Sequence, residues 1–276
     1  MENSVKLIIN ADDLGLTRGI NSAIFKAHTD GFLSHASIMT NSSWYKHAVE
    51  EVVQKCPQLK VGVHLNITCE KSLSKGTLLC NFEGEMKSSF IRLLFKPKTR
   101  NLLAQVEGEF EAQIKAAKHN GIEISHLDGH EHIHIIPSFN KIVRKLAKKY
   151  DIDRIREINE SFLSGIISNR QSVTSANILK WTLLKFLSFF NENEGVVRFH
   201  SIFSTCRINS DNLAKALKKN ENAKFLEIMV HPGLREHIED GAHLDKRFRD
   251  FLNSPDRLVE YKVCFDQKLK EYEVAK

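Results

Sequence analysis

Short apolar runs that close on polar residues alternate with amphipathic helical stretches along almost the whole chain, and few folds accept that alternation. Residues 5–10 (VKLIIN) form a run rich in branched side chains that gives way to Asp12, Asp13 and Gly15, the pattern of a buried strand ending in a loop. Thr17 is placed to cap the next helix, whose apolar positions Ile20, Ala23, Ile24 and Ala27 keep helical spacing as far as Gly31. Residues 34–41 and 60–66 read as the second and third strands, with a helix over 43–56 between them. Further strands are expected over 122–128, 152–158, 195–201 and 224–230. Helices are expected over 102–120, 138–150, 173–190, 209–219 and 256–272.

Strands separated by helices run parallel with right-handed crossovers, which leaves a doubly wound sheet or a β/α barrel. No GxGxxG follows the first strand, and the polar signals fall at the C-terminal ends of several different strands. The expected fold is therefore α/β, a distorted, TIM-barrel-like (β/α) barrel forming a single domain over 1–276. Residues 67–98 break the rhythm and leave from the end of a site-bearing strand, so they are expected to form a surface excursion or lid. Their hydrophobes, such as Leu78, Phe82, Phe90 and Phe95, are mixed with Lys75, Lys87, Arg92, Lys96 and Lys98. That mixture suits a wall closing over an apolar or anionic part of a substrate, or packing against a second subunit of a homodimer.

Composition narrows the classes. Hydrophobic residues at 42% and charged residues at 27% are the balance of a globular protein, not of a disordered or fibrous one. A net charge of +6 invites a nucleic-acid reading, but the basic residues are dispersed. Their local clusters at 92–100, 144–149 and 215–219 lie beside helical patterns with acidic neighbours, so no nucleic-acid partner is expected. The clusters read as solvated helix faces or as a surface attracting an anionic partner, such as a lipid-linked or phosphorylated substrate. Five cysteines without a CxxC pairing point to neither a disulfide framework nor a zinc ribbon. With no apolar run long enough for a signal peptide or a membrane span, a cytoplasmic location is expected.

Four segments carry chemistry. Asn10-Ala11-Asp12-Asp13-Leu14-Gly15 puts two carboxylates at a strand end, where they could equally cap a helix or stabilise a turn. Gly62-Val63-His64-Leu65-Asn66 places His64 and Asn66 on one face of another strand. The third segment runs from His126 to His134. Along an extended chain His126, Asp128, His130, His132 and His134 would project to one side, a concentration of titratable groups that is unfavourable unless something is bound. Its flanking strand and its exit through Ile135-Ile136-Pro137 argue against a tag-like surface tract. In the fourth, His231-Pro232-Gly233 holds a histidine at a strand terminus by a stiff turn. In a barrel these strand ends meet at one rim.

The motifs NADDLG, GVHLN, HLDGHEHIH and MVHPG, in that order, resemble those of the YdjC/ChbG carbohydrate deacetylases, and the resemblance covers nearly the whole chain. Members of that family look like distant relatives of the NodB-type polysaccharide deacetylases and share a distorted β/α barrel. The resemblance implies one divalent ion, magnesium first, with zinc, manganese and cobalt as alternatives. It implies Asp13, His64 and His130 as its ligands, Asp12 as general base and His231 as general acid, with the two aspartates interchangeable at this stage. Asp128 is expected to orient a ligand histidine, and His132, His134 and Asn66 to support the site or bind sugar hydroxyls. The family's arginine corresponds to Arg154 or Arg156. Gly129 stands where relatives commonly have Ser, and Glu131 where they have His. The implied reaction is hydrolysis of an N-acetyl group from an acetylated amino sugar or oligosaccharide. Rival readings are a His-x-His phosphoesterase or amidohydrolase, and a non-catalytic metal- or glycan-binding protein.

Overall fold

The first strand, β1 (Lys6–Leu14), is buried along nearly its whole length, as a parallel strand must be when other elements cover both its faces. The computed structural model describes residues 5–168 and 173–275. It adds β2 (His35–Ile38), β3 (Lys60–Leu65), β4 (Ile124–Gly129), β5 (Val197–His200), β6 (Phe225–Val230) and β7 (Glu273–Val274). The hydrogen-bonded order is β4-β3-β2-β1-β6-β5, parallel throughout. The short β7 pairs with the first residues of β1, below the point at which β2 takes over that edge.

The two ends of this path meet through one segment. Leu127 N donates to Arg154 O (2.9 Å) and Arg156 N to Leu127 O (2.9 Å), while Phe199 N of β5 donates to Asn159 O (3.3 Å). Residues 154–159 thus bridge β4 to β5 and close an irregular barrel. The strand expected over 152–158 is reduced to a single bridge, Leu127 to Ile155, because the segment leans from β4 across to β5 instead of running beside either.

The helices are α1 (Arg18–Thr29), α2 (Tyr45–Ala48), α3 (Phe90–Phe95), α4 (Arg100–His119), α5 (Pro137–Tyr150), α6 (Phe162–Ser168), α7 (Ser175–Ser188), α8 (Ser210–Lys219), α9 (Lys246–Leu252) and α10 (Asp256–Val263). Thr17 caps α1 and Thr99 caps α4 through their side chains. In α4 the residues Leu102, Val106, Phe110, Ile114 and Ala117 recur at helical spacing and are buried. The last helix stops at Val263, short of its expected reach, because the Cys264 carbonyl accepts from Phe32 N (2.8 Å) at the turn after α1. Residues 67–98 contain α3 and are tied down on α4: Glu109 accepts from Ser72 Oγ (2.7 Å), Leu73 N (3.1 Å) and Ser74 N (2.8 Å).

One departure from expectation shapes the site. The strand ends at Gly129, close to the expected 128, so the extended chain that would put the histidines on one side stops there, and His130–Ile135 coils as a tight 3-10 turn with Glu131 and His132 at φ 52° and 62°. Left-handed backbone at non-glycine residues costs about 1–2 kcal/mol each, so tertiary contacts must impose it. The turn redirects the chain into α5, whose first residue is Pro137.

Close packing also limits β3. A Cβ on Gly62 would lie 2.4–2.5 Å from ring atoms of His126. That ring is held by Ser37 Oγ (3.0 Å) and Ser125 Oγ (2.8 Å) and cannot simply swing away. Gly62→Ala is expected to cost about 1–3 kcal/mol. A lowered urea midpoint at unchanged m-value is the check.

Candidate active site

Pairing between β1 and β2 slips register between Ala11 and Leu14, and Asp13 takes a left-handed φ of 69°. Neighbouring strand residues otherwise point to opposite faces; the irregularity turns Asp12 and Asp13 into one cavity of about 200 Å³. His64, His130, His132 and His231 also line that cavity, together with Glu131, Lys180, Arg247, Phe248 and Phe251.

The β3–β4 register pairs His64 with Asp128, so His64 Nδ1 donates to Asp128 Oδ1 at 2.7 Å. The other Asp128 oxygen is engaged by Ser37 Oγ (2.7 Å) and Arg156 Nη1 (2.8 Å). His64 Nε2 is left facing the cavity, 3.7 Å from Asp13 Oδ1 and 4.0 Å from Asp12 Oδ2. His130 is oriented by a relay. Thr68 Oγ1 donates to Asn66 Oδ1 (2.9 Å), so the hydroxyl oxygen accepts from His130 Nδ1 (2.6 Å). His130 Nε2 then also presents a lone pair to the cavity, 3.9 Å from Asp13 Oδ1. Asn66 reaches the site only through Thr68, and its backbone is clasped by Gln113, which accepts from its N–H (2.9 Å) and donates to its carbonyl (2.6 Å).

Arg156 is the fully buried cation behind Asp12, meeting its two oxygens at 2.7 Å each, and it reaches Glu227 Oε1 at 2.7 Å as well. Arg154 binds Glu227 Oε2 (2.7 Å), whereas Arg156 also reaches both oxygens of Asp12, so Arg156 is the arginine that the structure brings to the site. Asp13 meets Arg257 of α10 at 3.2 and 3.3 Å. His231, just past β6, has its backbone N–H on Glu260 Oε2 (2.7 Å), with Nδ1 3.3 Å from the same oxygen and 3.6 Å from Cys206 Sγ. His132 lines the cavity with Nδ1 unpartnered, while His134 turns into the core and meets the Arg156 carbonyl through Nε2 (3.1 Å).

Burial by itself would push both carboxyls up; Arg156 with His64 and His231 outweighs it at Asp12, and Arg257 with His130, His231 and His64 at Asp13, so both sit below the usual carboxylate range. Burial lowers His130, and it drives His132 far down and His134 to about 4. At His64 burial is outweighed by Asp128 and Asp12, which raise it. His231 is raised well above 6.5: burial opposes the charged ring, and Cys206 and Glu260 overcome it.

Buried donor atoms gather in three places. Asp13 Oδ1 lies 3.7 Å from His64 Nε2 and 3.9 Å from His130 Nε2, beyond hydrogen-bond reach of either. Asp12, His64 and Asp128 also cluster, but Asp128 grips the back of the His64 ring. Cys206, His231 and Glu260 form a third buried group, in which Glu260 is already committed to the His231 and Ile208 backbone N–H groups.

Arg257, Glu260, Thr68, Lys180 and Glu227 were not singled out from the sequence. Glu227 alone carries a local signal, a carboxylate inside the apolar run FLEIMV.

An irregular parallel β/α barrel with a buried aspartate–histidine cluster at the C-terminal rim of its strands is the class that fold and site define. The profile of the family described as YdjC-like protein matches residues 6–273, and the chain belongs to that family. A carbohydrate deacetylase of Brevibacillus brevis is 34% identical over 270 residues, covering 97% of this chain and 94% of that one. A carbohydrate deacetylase of Halalkalibacterium halodurans is 39% identical over 149 residues, 54% of this chain and 62% of that one. A crystal structure of an Enterococcus faecalis V583 protein, described as a candidate for cellobiose-phosphate cleavage, has TM-score 0.70 at 21% identity and covers 99% of this chain and 97% of that one. That likeness speaks for the fold.

Proposed function

We propose that this chain is a carbohydrate deacetylase that hydrolyses the N-acetyl amide of an acetylated amino sugar with the help of one divalent ion. The observation that carries the reading is the convergence of two bare imidazole nitrogens and one carboxylate oxygen beside Asp12 and across one cavity from His231. The full-length Brevibacillus brevis relative, named a carbohydrate deacetylase, supplies the substrate class.

Asp13, His64 and His130 fit the ion as ligands, because Asp128 and Thr68 accept from the two Nδ1 atoms and orient both Nε2 atoms into the cavity, where a bound ion would take the place of any Nε2 proton. When bound, such an ion polarises a carbonyl and lowers the pKa of its water. Magnesium is our choice on the family resemblance; a one-carboxylate, two-imidazole set also takes zinc, manganese or cobalt. Asp12 receives the proton of the attacking water, held in place and kept ionised by Arg156. His231, kept charged beside Glu260, gives its proton to the leaving amine. Five unpaired cysteines fit a reducing compartment, and we place the protein in the cytoplasm. No described helix is long and apolar enough to cross a membrane.

Acetate release from a panel of N-acetylated sugars, by metal-stripped protein with each metal restored in turn, tests the reading. Phosphate release without acetate would replace it with a phosphoesterase. His64→Ala and His130→Ala should each lose metal retention while the fold survives, since neither can be spared from about three protein ligands. Full occupancy by elemental analysis in either variant would overturn the ligand set.

The general acid gives a pH signature. Because the His231 value is raised, its proton is present well past 6.5 and is lost only as pH climbs through the raised value. The alkaline limb of kcat therefore lies above neutrality. Glu260→Gln removes a charge that raises it, so the limb should move to lower pH; a stationary limb in the pH–rate profile excludes His231 as the acid.

A further inference from the structure

A second donor group stands at the wall of the active-site cavity, and hydrolysis needs only the His231 proton from it. Cys206 follows the turn after β5, His231 follows β6 and Glu260 lies on α10, so three separate elements bring a thiol, an imidazole and a carboxylate together. All three residues are buried, and Thr205 and His231 line the cavity through which an ion would reach them. Of the five cysteines, only Cys206 joins such a group among the described residues.

The spacing is that of a coordination shell. A tetrahedral zinc ion, with its sulfur at about 2.3 Å and its nitrogen and oxygen at about 2.0 Å, sets sulfur and nitrogen about 3.5 Å apart and nitrogen and oxygen about 3.3 Å apart. Cys206 Sγ lies 3.6 Å from His231 Nδ1, and Nδ1 lies 3.3 Å from Glu260 Oε2. A charge-assisted hydrogen bond would draw the last pair in to about 2.7–2.9 Å. The backbone donors on Glu260 fix its direction without using it up: Oε2 accepts the His231 N–H at 2.7 Å and Oε1 the Ile208 N–H at 3.3 Å, which leaves each oxygen a lone pair. Cys206 is fixed too, at a left-handed φ of 62°. That conformation costs a residue with a side chain about 1–2 kcal/mol.

The donor types choose the ion. One thiolate and one carboxylate offset the charge of a divalent ion, so the group is neutral once filled, which a buried site needs. Sulfur and imidazole suit zinc, whereas magnesium demands a shell of oxygens, and here a single carboxylate supplies them. Asp13, His64 and His130 contain no sulfur at all.

We propose that Cys206, His231 and Glu260 form a second metal site, selective for zinc over magnesium, and that filling it stops hydrolysis. Sγ and Nδ1 bind a metal only after giving up their protons, so zinc and the Nδ1 proton of His231 exclude each other. A zinc-bound ring keeps at most its Nε2 proton, which is far less acidic than that of an imidazolium, and the leaving amine then goes unprotonated. The inhibition rests on the deacetylase reading; the binding does not.

The test is titration of the metal-stripped, reduced full-length chain with cobalt(II), which occupies zinc sites and shows a sulfur-to-metal charge-transfer band in the near ultraviolet when a thiolate binds it. The band should appear in the wild type and in His130→Ala, which lacks a ligand of the other site, and should be absent from Cys206→Ser. Cys206→Gly, which the left-handed backbone accepts, is the second variant should serine disturb the fold. Under saturating magnesium, zinc should stop acetate release from an N-acetylated sugar by the wild type. Cys206→Ser should need at least about 100-fold more zinc for the same fractional loss of its own rate, since even the partners that orient a ligand are worth about 10- to 100-fold in affinity. No band in the wild type, a band that survives in both Cys206 variants, or equal zinc sensitivity of wild type and Cys206→Ser overturns the proposal. If the band behaves as stated but no acetate is released with any metal, the zinc site stands and the deacetylase reading falls.

Discussion

Asp12→Asn is expected to lower kcat by about 10²- to 10⁴-fold while the bound ion stays in place. An amide fills the space of the carboxylate but cannot take the proton of a water molecule. In the wild type both Asp12 oxygens meet Arg156 at 2.7 Å, and Asn10 Nδ2 adds a bond of 2.8 Å to Oδ1, so the carboxylate is rigid. Its Oδ2 is 4.0 Å from His64 Nε2 and is already held by Arg156 Nη1 at 2.7 Å. Asp13 has the opposite setting. One of its oxygens meets Arg257 and the other faces both imidazoles, so Asp13→Asn should lose the ion and activity together. Parallel elemental analysis and acetate assays on the two variants separate the roles. If Asp12→Asn loses the ion and Asp13→Asn keeps it, base and ligand are exchanged.

Strands β3 and β6 are legible within a residue or so, and β1 from its start although it runs four residues past the expected 5–10, because periodicity and β-branched composition are local. That is why Asp12, Asp13, His64 and His231 could be placed at one rim from spacing alone. The histidine run failed the same logic after Gly129. A period of two holds only while the chain is extended, and the left-handed turn at Glu131 and His132 is imposed by the entry into α5. Hence His130 and His132 face the cavity and His134 does not. Arg154 and Arg156 lie two apart in a nearly extended segment and both reach Glu227, so only the position of Asp12 across the barrel tells them apart. Arg257 and Glu260 were illegible for a different reason. In the segment DRLVEYKV they look like ordinary charges of a surface helix, yet α10 docks with both of them inward, against Asp13 and His231.

Arg156→Met is expected to destabilise the metal-stripped protein by about 3–5 kcal/mol, because it strips the cation from a buried charge cluster. Asp12, Asp128 and Glu227 all bind this one guanidinium, at 2.7, 2.8 and 2.7 Å, and none is more than 3% exposed at its side chain. Methionine fills the volume but leaves Asp12 and Asp128 ionised away from water; Glu227 keeps Arg154. The pH dependence fixes the cause. In the wild type both aspartates are held below 3.8, burial being outweighed by Arg156 together with His64. That contribution is present above the unfolded value and is lost as pH falls through the folded value. In the variant the same carboxyls are pushed up, so they protonate within the fold as pH drops and no longer need a counter-charge. The gap in unfolding free energy between wild type and variant should therefore be widest near neutrality and should narrow as pH falls toward 4. Urea titrations at a series of pH values measure it. A gap that stays below 1 kcal/mol, or does not change with pH, would mean that Arg156 fills space and that the carboxylates draw their support from Ser37, Asn10 and Arg154.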